Sequence, residues 1–266
     1  AQKKDFGHSF FYMEILDRLF YIIAVIPIII FIFWPIVALF LRSISPDGKF
    51  TLELYNSLFK ENFTVIRDSI WVCLLSTALS VIIGTVIAVY ITYASKWIKR
   101  ILMLLLMLTM ISPPFLSSLS YILLFGKRGI ITADLLHLNF NPYGWHGIVI
   151  MQTFSEISLA ALILTGGLSS IPSSVIEAAK DLGSKSGEIL YRVILPMLKS
   201  SLTAVFFLIF VKNIADFGTP IIVGGNFKML ATEAYKGVIS YGEIEKAAAI
   251  SFLIFLPIVF IFLIYR

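Results

Sequence analysis

Long uninterrupted apolar runs limit this chain more than any other feature of its sequence. A helix needs about 20 residues to cross a bilayer core of about 30 Å. Six segments reach that length: about Leu19 to Leu41, Ile66 to Tyr93, Ile101 to Phe125, Trp145 to Leu168, Ser201 to Phe217 and Ala247 to Tyr265. The third is interrupted by Ser112-Pro113-Pro114. Lipid satisfies no backbone polar group, so only helices and closed barrels span it. A barrel strand alternates with period two, and the run from Ile101 through Leu108 shows no alternation. The predicted fold class is therefore all-α, a polytopic membrane protein with six transmembrane helices. Only 14% of residues are charged, against about 25% in soluble domains. The charges gather between the runs and leave no polar stretch long enough for a soluble domain. Residues 19–266 are thus read as one transmembrane domain, preceded by residues 1–18.

Basic residues in short loops set the orientation. The tightest cluster, Lys96, Lys99 and Arg100, links the second and third segments and puts that link in the cytoplasm. Six crossings then place both chain ends there, including the N-terminal segment 1–18, and they place Ser169 to Ser200 on the same side. Ala1 to Asp17 lacks the charged start, apolar core and small-residue cleavage site of a signal peptide. The end at Arg266, directly after an apolar run, is compatible with a longer natural chain. Among the outer links, Ser45-Pro46-Asp47-Gly48 reads as a turn. Thr51 to Arg67 reads as a short interfacial helix, and Asn139 to Gly144 as a turn-rich re-entry.

Several functions are excluded on residue grounds. A single cysteine, Cys73, rules out an intramolecular disulfide and argues against a cysteine metal site. The three histidines, His8, His137 and His146, have no carboxylate or cysteine at ligand spacing, so no metal site is predicted. The net charge of +5 carries no basic stripe with interleaved aromatics, so nucleic acid is not an expected partner. There is no phosphate-binding loop of the G-x-x-x-x-G-K-[ST] type.

The most informative stretch is Ser169 to Leu198, which is too polar to span and reads as helix, turn, helix. Pro172 suits a first turn. Ser174 is the expected cap, with Glu177 reaching back to it. Val175, Ala178, Ala179 and Leu182 make one apolar face at helical spacing. Gly183 supplies a left-handed turn. Ser184 is the expected cap of a second helix carrying Ile189, Leu190, Val193 and Ile194, which Pro196 closes.

Glu177-Ala178-Ala179, then Gly183, then Val193 and Leu195-Pro196, resembles the EAA loop of permeases of ATP-binding-cassette (ABC) importers. The family pattern usually has Ile where this chain has Val193. The resemblance implies a membrane permease that forms the substrate path. It implies that the 169–198 loop is a cytoplasmic coupling hairpin between helices 4 and 5, docking through Glu177, Ala178, Ala179, Gly183, Leu195 and Pro196. It further implies a dimer of ATPase subunits that hold ATP and Mg, so this chain is not itself the enzyme and binds no cofactor. A second permease half or subunit, an extracytoplasmic substrate-binding protein and the lipid of the cytoplasmic (inner) membrane complete the expected partners. A channel or a membrane-embedded enzyme is the alternative, and neither accounts for the loop's spacing.

Ionisable groups inside a membrane usually face a protein interior or a wet path. Segment four carries Gln152, Ser155, Glu156 and Ser158, and segment five carries Lys212, Asn213 and Asp216. Lys212 can pair with Asp216 four residues on, or with Glu156 across helices. Alternatively, Glu156, Lys212, Asn213 and Asp216 line the translocation path, together with Ser112 and Pro113 at the break in segment three. Asp216-Phe217-Gly218-Thr219-Pro220, with Gly224-Gly225 and Leu230-Ala231-Thr232-Glu233, resembles permeases of the ferric-iron importer group. That resemblance implies ferric iron as substrate. Related groups carry sulfate, thiamine, polyamines or phosphonates. Many members of the iron group fuse two six-helix halves, so this chain is expected to be either an N-terminal half or a free-standing subunit that dimerises.

Overall fold

The computed structural model describes residues 20–45, 50–111, 113–135, 137 and 141–265. The expectations for residues 1–18, for Ser112 and for the turn at Pro46 to Gly48 lie outside them. Every regular element among the described residues is helical. Helix α1 covers Phe20–Ile44. It winds as a π-helix over Ile29–Phe33, just ahead of Pro35, whose missing N–H and ring displace the ordinary ladder. Helix α2 runs Glu53–Tyr93, α3 Lys96–Ile111 and α4 Pro114–Phe125, followed by a π-turn at Ile130–Leu135. Helix α5 is Trp145–Ser169 and α6 is Ser173–Asp181. Helix α7 is Ser186–Met197, and a 66° bend separates it from α8, Lys199–Ala215. Short helices α9 (Gly218–Val223) and α10 (Leu230–Lys236) lead into α11, Ile244–Tyr265.

Four of these, α1, α2, α5 and α11, are long and apolar enough to span a membrane singly. The bent pair α7–α8, and a second that joins α3 to the segment after the Pro113 break, raise the number to six if each pair is one span. The 41 residues of α2 join two helices across a kink at Asn62 (φ −116°, ψ 16°), so a short helix from Glu53 to the kink precedes the span, within the stretch Thr51 to Arg67 where one was expected.

Helix α5 is central: 61% of its most apolar stretch is buried, against none of the corresponding stretch of α1. Its main neighbour is α2, and small residues let the two backbones close in. Ser76, Thr77, Ser80 and Ala88 of α2 are fully buried, as are Ala160, Ala161 and Leu164 of α5. A Cβ on Gly84 would lie 2.5 Å from the Ala160 Cβ and 3.1 Å from the Ala161 nitrogen. The Ser80 hydroxyl reaches the Thr153 carbonyl (3.3 Å), and the Thr153 hydroxyl reaches that of Ser76 (3.4 Å).

Three buried clusters extend from this seam. One joins Val72, Ile148, Met151, Phe210 and Val223. A second joins Val81, Leu164 and Leu168 to Ile189, Ile194 and Leu198, so α7 is anchored in the same core as α5 and α8. A third packs Leu58 and Val65 of α2 against Leu230, Ala249 and Leu253.

Candidate functional site

Two features stand out: the hairpin α6–α7 and a polar cavity between α5 and α8. Pro172, with φ −61° and ψ 133°, is extended and starts α6 at Ser173. The expected capping box of Ser174 and Glu177 does not form: no side chain caps this helix. The early start puts Ser174 inside the first turn and Glu177 too far along to reach back. The second cap also falls one residue later than Ser184. The Glu188 carboxylate accepts from the Lys185 N–H at 3.1 Å, a favourable charge at a helix start.

Gly183 has φ +82°, the left-handed turn expected of it. Its N–H donates to the Lys180 carbonyl at 2.8 Å, and the Ser184 N–H donates to that of Ala179 at 3.1 Å. These two bonds are the Schellman arrangement that ends a helix on glycine. Helix α7 continues through Leu195-Pro196-Met197 to the bend at Leu198.

The apolar face read from spacing is divided. Ile176 and Ala179 pack on the core with Leu190 and Val193. Val175, Ala178 and Leu182 turn outward, Leu182 being 86% exposed. Of the loop residues singled out in the sequence, Glu177, Ala178, Gly183 and Pro196 are exposed, while Ala179 and Leu195 are half-buried. The hairpin therefore presents an apolar ridge with polar flanks on a base fixed to α5 and α8. Such a surface suits a protein partner.

The cavity has a volume of about 320 Å³ and lies where α8 stops at Asp216. Lys212 pairs with Glu156 of α5 rather than with Asp216: its Nζ lies 2.8 Å from Oε1 and 2.9 Å from Oε2. Asp216 is engaged otherwise. Its Oδ1 accepts from the Thr219 N–H at 3.1 Å, and its Oδ2 lies 3.4 Å from Gln152 Nε2. Gln152 also donates to the Asn213 carbonyl (3.0 Å), which accepts from the Asp216 N–H (3.3 Å) as well, and its Oε1 faces the Ser76 hydroxyl at 2.8 Å. Asn213 Nδ2 donates to the Thr77 hydroxyl at 3.1 Å. Three helices are thus tied by side chains around the break.

Of the expected path residues, Glu156, Lys212, Asn213 and Asp216 line this one cavity. Pro113 caps the start of α4, and Ser117, one turn further on, reaches the lining. Gln152 and Ser155, read in the sequence only as polar residues of segment four, line the cavity as well, and so do Thr109 and Thr219. Their signal was an excess of hydroxyl and amide groups in apolar helices.

Gln152 is 2% exposed and bridges α2 to α8. Gln152→Leu keeps the volume and removes its contacts with Ser76, the Asn213 carbonyl and Asp216. It is expected to cost about 1–3 kcal/mol, because buried partners lose their bonds. A lowered unfolding midpoint in detergent checks this.

Residues 80–266 match the family described as "Binding-protein-dependent transport system inner membrane component". The chain is 28% identical over 216 residues to the putative ferric transport system permease protein FbpB 1 of Haemophilus influenzae, covering 78% of this chain and 34% of that protein. It is 27% identical to the thiamine transport system permease protein ThiP of Salmonella typhimurium, covering 68% of this chain and 34% of that protein. The chain therefore spans about a third of the length of these relatives. A bacterial alginate ABC transporter, solved in complex with alginate pentasaccharide-bound periplasmic protein, has the same fold. Its matching chain gives a TM-score of 0.78 at 14% identity, over 96% of this chain and 93% of that one.

Proposed function

Since the chain belongs to the family of binding-protein-dependent transport system inner membrane components, we propose that it is the membrane-spanning permease unit of an ABC importer that carries ferric iron. The observation that carries this reading is the hairpin α6–α7. It offers an uncovered ridge at Val175, Ala178 and Leu182, while Ile189, Ile194 and Leu198 fix its base in the core shared by α5 and α8. A force applied to the ridge therefore acts on the two helices that wall the cavity, as rigid-body coupling requires.

In this reading the chain crosses the inner membrane six times, with both ends and the hairpin in the cytoplasm, in keeping with the Lys96, Lys99 and Arg100 cluster. Residues 19–266 make up the transmembrane unit. An ATPase dimer docks on the hairpin and supplies ATP and Mg; a second permease half and an extracytoplasmic binding protein complete the assembly. The ferric permease relative supports iron as cargo, and the thiamine relative supports a thiamine-like cation as the second reading.

Co-purification tests the proposal. The tagged chain, extracted in mild detergent from its native membrane, is expected to bring an ATPase subunit with it. Leu182→Glu puts a charge at the tip of the ridge. Burying that charge without a partner in a docked interface is expected to cost about 2 kcal/mol, roughly thirtyfold in affinity. The variant is expected to lose the ATPase and keep the parental unfolding midpoint, because Leu182 is 86% exposed. An ATPase retained by Leu182→Glu, or none retained by the parent, contradicts the docking role.

A further inference from the structure

We propose that the cavity between α5 and α8 is a transit site for a hard metal cation. In it the Lys212 ammonium neutralises Glu156 while the path is empty, and gives that carboxylate up when the cation arrives. The inference rests on the transport reading above and names the chemistry of its path.

Charge comes first. Two carboxylates, Glu156 and Asp216, and one ammonium, Lys212, face the same cavity. The balance is one negative charge, and the single cation present is already held at 2.8 Å by Glu156. An oxyanion such as sulfate, phosphonate or molybdate would meet two carboxylates and an occupied ammonium. A cation meets Asp216 directly, and gains Glu156 when Lys212 withdraws.

The type of cation follows from the donors. Besides the carboxylates, the lining offers hydroxyls of Thr109, Ser117, Ser155 and Thr219. Carboxylate, hydroxyl and water oxygens suit hard metal ions. No aromatic ring lines the cavity among the described residues, so an organic cation such as a thiazolium finds no face on which to stack.

The two partners of the ion pair also differ in freedom. The Glu156 side chain is 9% exposed and fixed in the wall, whereas that of Lys212 is 49% exposed. The lysine head swings on a flexible four-carbon stem, so Lys212 is the partner that moves. Asp216 stays in place, anchored by the Thr219 N–H. No group of three or more His, Cys, Asp or Glu side chains able to hold a metal occurs among the described residues. Two carboxylates, one of them contested by a tethered ammonium, give the weak and reversible binding that passage demands.

Terbium(III), a hard trivalent ion whose luminescence rises when protein oxygens displace its water, is the probe. It is titrated into the purified chain in detergent. Lys212→Met removes the competitor and is expected to bind terbium at least about tenfold tighter than the parent, since one unit-charge interaction at about 4 Å is worth roughly fivefold even in bulk water and far more at a protein surface. Glu156→Gln and Asp216→Asn are expected to bind at least about tenfold weaker, on the same scale. Molybdate is expected not to compete. Asp216→Asn keeps the acceptor for Thr219 and leaves the ion pair intact, so it decides the matter if Lys212→Met does not survive purification. Variants that all titrate like the parent, a Lys212→Met that weakens binding, or displacement by molybdate would each overturn the proposal. A parent that brings down its ATPase but gives such a terbium result leaves the transport reading standing and sinks only this one. The ordered terbium response without any ATPase leaves a cation site standing but overturns the transport reading, and with it the role in transit.

Discussion

Gly84→Val is expected to lower the stability of the helical bundle by about 3 kcal/mol, the upper end of what overpacking a filled interior costs. The position is in the C-terminal third of α2, where it packs against α5. Even one added Cβ would stand 2.5 Å from the Ala160 Cβ and 3.1 Å from a backbone nitrogen, that of Ala161. Neither neighbour is the end of a flexible chain, so the helices themselves must separate. Separation would also stretch the Ser80–Thr153 and Thr153–Ser76 contacts along the same seam. Gly166→Ala is the matched control. Its Cβ meets nothing within 4 Å, and alanine favours the helix by up to about 1 kcal/mol over glycine. Denaturant or thermal unfolding in detergent compares the two. A Gly84→Val chain that unfolds with the parent would show that α2 and α5 are not packed this closely.

The Gly84 contact also marks where sequence reading stops. Ser69, Cys73, Ser76, Ser80, Gly84 and Ala88 recur three or four residues apart and are all buried. In a uniformly apolar helix such a stripe produces no amphipathic contrast, so periodicity alone does not single it out. Four of the expected spans were legible as single helices, because lipid demands length and apolarity and little else. Their ends were less so. The fifth span reads through Phe217, but α8 ends at Ala215, with Asp216 as its C-cap. The kink at Asn62 divides α2 into two helices, so the short helix expected over Thr51 to Arg67 ends earlier, and the helix of the span begins earlier, than the apolar run suggests. The hairpin's glycine turn was legible, because φ +82° is a local demand. Its caps were not, because the extended conformation of Pro172 starts α6 a residue early. The choice of Glu156 over Asp216 by Lys212 depends on how α5 and α8 lie together. Both options satisfy the one-dimensional spacing, and only packing separates them.

The hairpin turn permits a sharper test than its exposed ridge, because strain and contact separate there. At Gly183 a Cβ would meet nothing within 4 Å, yet φ is +82°. Valine there causes no clash and pays only in conformation, about 1–2 kcal/mol for a left-handed L-residue and more when it is β-branched. The chain relieves that strain by moving Gly183 out of the left-handed region. Doing so breaks the bonds from Gly183 to Lys180 and from Ser184 to Ala179. Helix α7 cannot follow, because Ile189 and Ile194 are buried in the core, so α6 is the element that is re-aimed. Gly183→Val is therefore expected to keep the unfolding midpoint of the parent within about 1–2 kcal/mol while losing the co-purified ATPase and ATP-driven uptake. Gly183→Asn, which tolerates the left-handed conformation, is expected to retain both. Gly187→Ala, at a site where a Cβ also meets nothing within 4 Å and φ is not positive, should be silent. Uptake into vesicles and ATPase recovery, measured on all three, decide the question. If valine and asparagine at position 183 behave alike, the turn geometry does not set the aim of α6, and the coupling role must lie in the ridge residues alone.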